Sequence, residues 1–282
     1  MTKKPDILRI AVAQLNPTVG DVAGNLAKAR AARSDAARQG ADIVLFTELF
    51  LAGYPPEDLV LKPAFLKACE QAAEAFAGDT ADGGPGVIIG TPLKRKSGTH
   101  NSIVVADGGK IIAERYKLGI PICEDIWGEI GVCETLAESG AEILLVPNGS
   151  PYYRAKIDVR HQIVIKQVVE CGLPMIYANQ LGGQDELVFD GASFAIGADR
   201  MLAFQMSQFE EAVDVTTWRR KGDSWACSEG PMSKIPEREE ADYRACMLGL
   251  RDYVNKNGFK NVVLGLSGGI DSAICTALAV DA

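Results

Sequence analysis

The chain has 282 residues, a formal net charge of −8, and is 47% hydrophobic and 23% charged. That length is large for one domain but within reach of a single α/β unit with a sizeable core. The acidic balance leaves no basic footprint for nucleic acid, and no apolar run approaches the roughly 20 residues needed to span a bilayer.

Short β-type runs alternate with helix-type runs. "ILRIAVAQL" reads as a strand, "NLAKARAARSDAARQG" as an alanine-rich helix ending at Gly40, and "ADIVLFTE" as a strand buried on both faces. "PAFLKACEQAAEAFAG" is helical, and "GVIIGTP" and "NSIVVADGGKIIAERYK" supply strands with a Gly-Gly turn. After "LGIPICED" come the helix "GVCETLAESG", the strand "AEILLVPNGS", the helix "RAKIDVRHQIVIKQVVECG" and the run "LPMIYANQ". "GASFAIGADRMLAFQ" then reads as a hairpin turning at Ala198-Asp199. This alternation predicts an α/β domain with helices covering mixed sheets over residues 5–215. The charged, Pro- and Gly-containing text of residues 216–240 reads as a linker, and residues 241–282 open a second unit with the helix "ADYRACMLGLRDYVNKNG".

Seven scattered cysteines with no CxxC pair read as reduced thiols, and Asp6 and Arg9 interrupt any signal-peptide core, which together point to the cytoplasm. His100 and His161 are too isolated for a zinc site, and any nucleophile needs a base other than histidine. Within "GIPICEDIWG", Cys123 follows an apolar run, Glu48 follows the strand "DIVLF", and Lys117 ends "KIIAERYK". A thiol attacks only once deprotonated, a carboxylate can take its proton, and an ammonium can stabilise an oxyanion.

In the second unit, "LGLSGGIDSA" reads as a buried strand, a glycine loop and the start of an apolar helix. Gly265, Leu266, Ser267, Gly268, Gly269, Ile270, Asp271 and Ser272 form a phosphate cradle of loop amides and hydroxyls. The loop resembles the SGGxDS segment of the N-type ATP pyrophosphatases, a doubly wound fold, and lacks the lysine of a GxxxxGK[ST] loop. The resemblance implies ATP with Mg2+, the metal held by Asp271. No further part of that domain follows, so its ATP chemistry is incomplete in this chain.

Glu48, Lys117 and Cys123 at three strand ends resemble the nitrilase superfamily, an αββα sandwich whose hydrolases cleave carbon–nitrogen bonds. "FTELFLAGYPPEDL" and "IPICEDIW", joined to SGGxDS, are similar to the family of glutamine-dependent NAD synthetases. The resemblance implies that Glu48 takes the thiol proton and Cys123 forms a thioester with glutamine. Lys117 and the Glu124 amide would hold the oxyanion, while Ser150 and Lys156 bind the amino-acid end. Ammonia would then pass to adenylated deamido-NAD. The family also implies a homo-oligomer without nucleic-acid or membrane partners. Two other readings stand beside it: an amidase for another small amide, with the glycine loop only a turn, and a non-enzymatic scaffold.

One feature departs from the family. Only six residues separate Lys117 from Cys123, roughly 20 Å if extended, and the family's excursion between them, with its "LPNY" segment, is missing. Either it is deleted, which would destroy the glutaminase site, or further chain joins the two sides of the Lys117–Leu118 junction. The second is favoured and requires those two residues to lie well beyond one peptide bond; a normal bond would count against catalysis.

Overall fold

The computed structural model describes residues 6–112, 118–128, 131–222 and 224–282. In chain order these form β1 (Ile7–Gln14), α1 (Val22–Arg38), β2 (Ile43–Leu45), α2 (Pro63–Asp79), β3 (Gly86–Arg95), β4 (Gly98–Asp107), β5 (Lys110–Ile111) and β6 (Leu118–Gly119). There follow α3 (Val132–Glu138), β7 (Ile143–Asn148), α4 (Lys156–Cys171), β8 (Met175–Asn179), β9 (Leu181–Gln184), β10 (Leu187–Asp190), β11 (Phe194–Ile196) and β12 (Leu202–Gln205). The chain continues through β13 (Ala212–Lys221), β14 (Ser224–Glu229), α5 (Arg238–Lys256) and α6 (Ile270–Asp281).

Alternation along the strands builds the layers. Among the described residues, one sheet runs β14-β13-β1-β2-β3-β4-β5 and a second β12-β11-β8-β7-β6. In β1, Ile10 and Val12 point toward the second sheet, where they meet Ile143, Leu145, Ile176 and Ala195. Ala11 and Ala13, on the opposite face, pack beneath α1 and α2 with Ala29, Ala32, Ala73 and Phe76. Leu144, Val146, Met175 and Tyr177 turn outward to Val164 and Val168 of α4. Successive strand side chains face opposite ways, so each strand feeds two cores and the result is an αββα sandwich. Both sheets are mixed: β1, β2 and β3 are parallel, as are β6, β7 and β8, while hairpins supply the antiparallel pairs. The hairpin expected at Ala198-Asp199 is β11–β12, closed by Gly197 N–H donating to Met201 O.

The linker expected over Thr216–Glu240 is corrected. β13 pairs with β1 from Ile7↔Arg219 to Gln14↔Ala212, and β14 extends the sheet to Glu229, so the sandwich continues well past residue 215. The charged residues that suggested a linker face the rim, where Arg220 pairs with Glu142 at 2.8 Å and stacks on Trp225. Trp218 is fully buried between the sheets, its indole N–H donating to Thr216 Oγ1 at 2.9 Å. Trp218→Ala is expected to lower unfolding stability by about 3–5 kcal/mol, read from the denaturant midpoint at constant slope.

The second unit is corrected in part as well. α5 docks on the β9–β10 hairpin through Ala241, Ala245 and Leu248 against Leu181 and Phe209. Buried Asp252 accepts from Asn16 Nδ2 and the Gly183 amide, both at 2.6 Å. α6 forms, but the buried strand expected before it does not: no strand is assigned over residues 259–269, and Val263 and Leu266 are exposed. A strand needs a neighbour to satisfy its amides, and among the described residues none pairs with this stretch. No helix of the described residues is long and apolar enough to cross a membrane.

Candidate active site

The site lies where the carboxyl ends of parallel strands from the two sheets face each other. Glu48 stands three residues beyond β2, Gly149 follows β7, and Cys123 opens a 3-10 turn, Cys123–Ile126, shortly after β6. Gly90 of β3 lets the Glu48 segment pass, because a Cβ there would lie 2.2 Å from the Leu49 nitrogen. Beyond Glu48 the chain turns through Leu49 at φ +46°, and Cys123 sits at φ +42°, both unusual for residues with side chains. Strained backbone of this kind persists where its surroundings over-determine it, and it collects at active sites.

Two N–H donors converge on Glu48: Asn101 Nδ2 donates to Oε1 at 2.7 Å and the Gly149 amide to Oε2 at 2.9 Å. Burial raises the Glu48 carboxyl above its ordinary value, and these two donors, with the Cys123 thiol beside the carboxylate, pull it part of the way back. Burial, followed by the charge and hydrogen bond of Glu48, pushes the Cys123 thiol well up, while the Gly149 amide lowers it. Cys123 is therefore not a standing thiolate; its proton rests on sulfur, beside the group able to take it. Cys69 offers a contrast: burial alone lifts its thiol to about 12, with no carboxylate acting on it.

The remaining expected residues divide. Lys156 lies at the head of α4 with its ammonium 4.2 Å from the Trp127 ring centroid and 4.5 Å from that of Tyr153. Ser150 is buried, its hydroxyl accepting from Arg160 Nε at 3.2 Å. Lys117 lies outside the described residues. The separation expected at the Lys117–Leu118 junction falls with Lys117 outside the described residues. Leu118 pairs with Ile143 at the start of β7, whereas Gly149 follows the end of that strand, roughly 20 Å away at 3.3 Å per residue. Residues 265–271 are exposed and Ser272 is half-buried, with the Ser267 and Ser272 hydroxyls 3.1 Å apart at the head of α6. These hydroxyls and the first amides of a twelve-residue helix fit a phosphate. Magnesium is usually held by one or two carboxylates plus substrate phosphates, so Asp271 fits it as one such ligand. Among the described residues, no cluster of three or more His, Cys, Asp or Glu would hold an ion unaided.

Sequence reasoning missed Asn101 and Tyr54. Asn101 lies on β4 opposite Pro92, and its use depends on cross-strand register. The Tyr54 ring lies flat on Gly149, where a Cβ would come within 2.6 Å of it. Burial, then the charges of Glu48 and Cys123, keeps its phenol protonated. Asn101→Ala should remove a charge-assisted hydrogen bond and raise Glu48 further. The acid limb of amide hydrolysis is expected to move up by about one pH unit in a kcat/KM profile.

A buried thiol beside a buried carboxylate at the strand ends of an αββα sandwich is the arrangement of a carbon–nitrogen hydrolase fold. The carbon–nitrogen hydrolase family model matches residues 9–121 and 112–221, and the chain belongs to that family. The two matched blocks overlap at 112–121, around the Lys117–Leu118 junction. The NAD synthase family model matches residues 242–282. Glutamine-dependent NAD(+) synthetase of Rhodobacter capsulatus is 43% identical over 307 residues, covering 98% of this chain and 55% of that protein. The alignment is longer than this chain, so the relative carries positions with no counterpart here. A solved glutamine-dependent NAD+ synthetase from Acinetobacter baumannii, in complex with ADP, superposes with TM-score 0.90 at 31% identity, covering 98% of this chain and 57% of that one. An amidase from Nesterenkonia sp. shares the fold at 23% identity and TM-score 0.67, covering 77% of this chain and 91% of that one. This chain thus spans little more than half the length of the synthetases it matches.

Proposed function

We propose that the sandwich is the glutaminase unit of a glutamine-dependent NAD synthetase, releasing ammonia for a synthase unit that begins at α5. The observation that carries this is the buried Glu48, held by Asn101 and the Gly149 amide, with the Cys123 thiol buried beside it and under its charge. Glu48 takes the proton as sulfur attacks the amide carbon, the C–N bond breaks as Glu48 returns that proton to the departing nitrogen, and water then hydrolyses the thioester to glutamate. The Glu124 amide, next to the nucleophile, and Lys117 are the proposed oxyanion donors. Lys156 binds the carboxylate of glutamine, with the neighbouring Ser150 hydroxyl as a further contact; the position of the Lys156 ammonium by Trp127, four residues beyond Cys123, supports this. In the synthase unit, Gly265–Ser272 is proposed to hold the phosphates of ATP, with Asp271 on Mg2+, and bound ATP supplies the adenylyl group that activates deamido-NAD. The ADP in the Acinetobacter relative supports nucleotide use.

A second reading is favoured by one observation, the seating of Leu118 at the far end of β7 from Gly149. In it the thiol–carboxylate pair survives but glutamine turnover is lost, and the synthase unit depends on free ammonia. Ammonia release decides between them. The first reading expects steady release from glutamine and little from nitriles, carbamoyl amino acids or simple amides. No release from glutamine establishes the second.

A further inference from the structure

Arg160, on α4, is fully buried against Asp190 at the end of β10, and every polar atom of its guanidinium is occupied. Nε donates to Ser150 Oγ at 3.2 Å and Nη1 to Asp190 Oδ2 at 3.0 Å. Nη2 donates to Asp190 Oδ1 at 2.8 Å, to Ser150 O at 2.7 Å and to Pro151 O at 3.2 Å. Asn179 completes the grip, accepting from the Ser150 amide at 2.9 Å, and Gln208 Nε2 donates to Asp190 at 2.7 Å. A buried ion pair is an inefficient source of stability, since apolar replacements are often no worse. What this one supplies is the position of a main-chain segment.

That segment begins with Gly149, which has no Cβ to limit its own torsions. Upstream, Asn148 O is pinned by the Gln180 amide at 3.1 Å; downstream, the chain is pinned by Arg160 and Asn179. We propose that Arg160 is a positioning residue for the amidase reaction, clamping Ser150 and Pro151 so that the Gly149 N–H is aimed at Glu48 and Cys123. This rests on the glutaminase reading above. Ser150 then works through its carbonyl as well as its hydroxyl.

The titratable groups facing Glu48 are Cys123 and Glu124 from the 3-10 turn, with Tyr54 alongside; Asn101 and the Gly149 amide are the neutral donors. If Gly149 loses its aim, both the carboxylate and the sulfur lose a donor, and both hold protons to higher pH. Arg160→Met combined with Asp190→Asn removes both buried charges and leaves Gln208 an acceptor. Arg160→Lys keeps the charge without the fork. In the double variant, the acid limb of kcat/KM for glutamine is expected to rise by about one unit and the rate of Cys123 alkylation at a fixed pH of about 8 to fall by about tenfold. Alkylation is followed by peptide mass spectrometry with iodoacetamide, against exposed Cys246 as reference. At neutral pH, kcat falls about tenfold or more while KM changes less, with Arg160→Lys intermediate. A folded double variant with the wild-type alkylation rate overturns the proposal; if the double variant does not fold, a wild-type rate in Arg160→Lys does so. Wild-type protein that releases no ammonia from glutamine defeats only the glutaminase reading, and the alkylation rate still decides the role of Arg160.

Discussion

Cys123→Ala is expected to abolish ammonia release from glutamine, lowering kcat by about four orders of magnitude or more while the fold survives. The size of the effect follows from covalent catalysis. Without sulfur no thioester forms, and the remaining donors can polarise an amide but cannot divide its hydrolysis into two easier steps. Cys123 is buried at the start of the turn whose Ile126 packs into the helix-side core, and losing one sulfur atom should shift the unfolding midpoint by only a few degrees. Cys69→Ala is the control. It too removes a buried thiol, yet that sulfur packs with Leu49 and Ala52. Its loss is expected to leave the rate within a factor of a few.

Glu48→Gln is expected to separate activity from stability. Hydrolysis should fall by about 10²–10⁴-fold, because the amide cannot accept the thiol proton. Stability should move the other way as pH rises. The folded carboxyl lies above its ordinary value of 4.5 because burial disfavours the charge. Between the ordinary and the raised value the native state holds a proton that the unfolded chain releases, so wild-type stability declines as pH rises through that window. Below it both states are protonated and the penalty vanishes. Glu48→Gln carries no such penalty. Its NH2 faces one of the two N–H donors that Glu48 satisfies, which lowers its melting temperature at every pH, but the gap to the wild type should narrow as pH rises from about 4 to about 8, as measured by calorimetry across that range.

Much of the architecture was legible in the chain text. The apolar periods of β1, β7 and β8 and the helical pattern of α1, α2 and α4 carry enough local signal to predict layers of helices on mixed sheets. Glu48 and Cys123 could be singled out because each acid or thiol follows directly on an apolar run, where α/β sheets present their chemistry. Asn101 could not, since its contact with Glu48 depends on which residue of β4 stands opposite Pro92. Residues 216–229 read as a linker because Thr216, Thr217 and Trp218 run straight into Arg219, Arg220 and Lys221; the burial of one face appears only once β1 lies alongside. The reverse error befell Val262–Leu266, apolar enough for a buried strand but without a partner strand among the described residues. The Arg160–Asp190 pair gave no sequence signal, as its members lie thirty residues apart on a helix and a strand.

The central claim is that Cys123 sulfur captures the amide carbon of glutamine. The most direct measurement is acid quenching of the protein during turnover, followed by peptide mass spectrometry for a glutamyl thioester. The predicted result is an adduct on the peptide containing Cys123, absent from Cys123→Ala and from every peptide carrying another cysteine. Ammonia release that continues undiminished in Cys123→Ala, or an adduct confined to a different thiol, would contradict it.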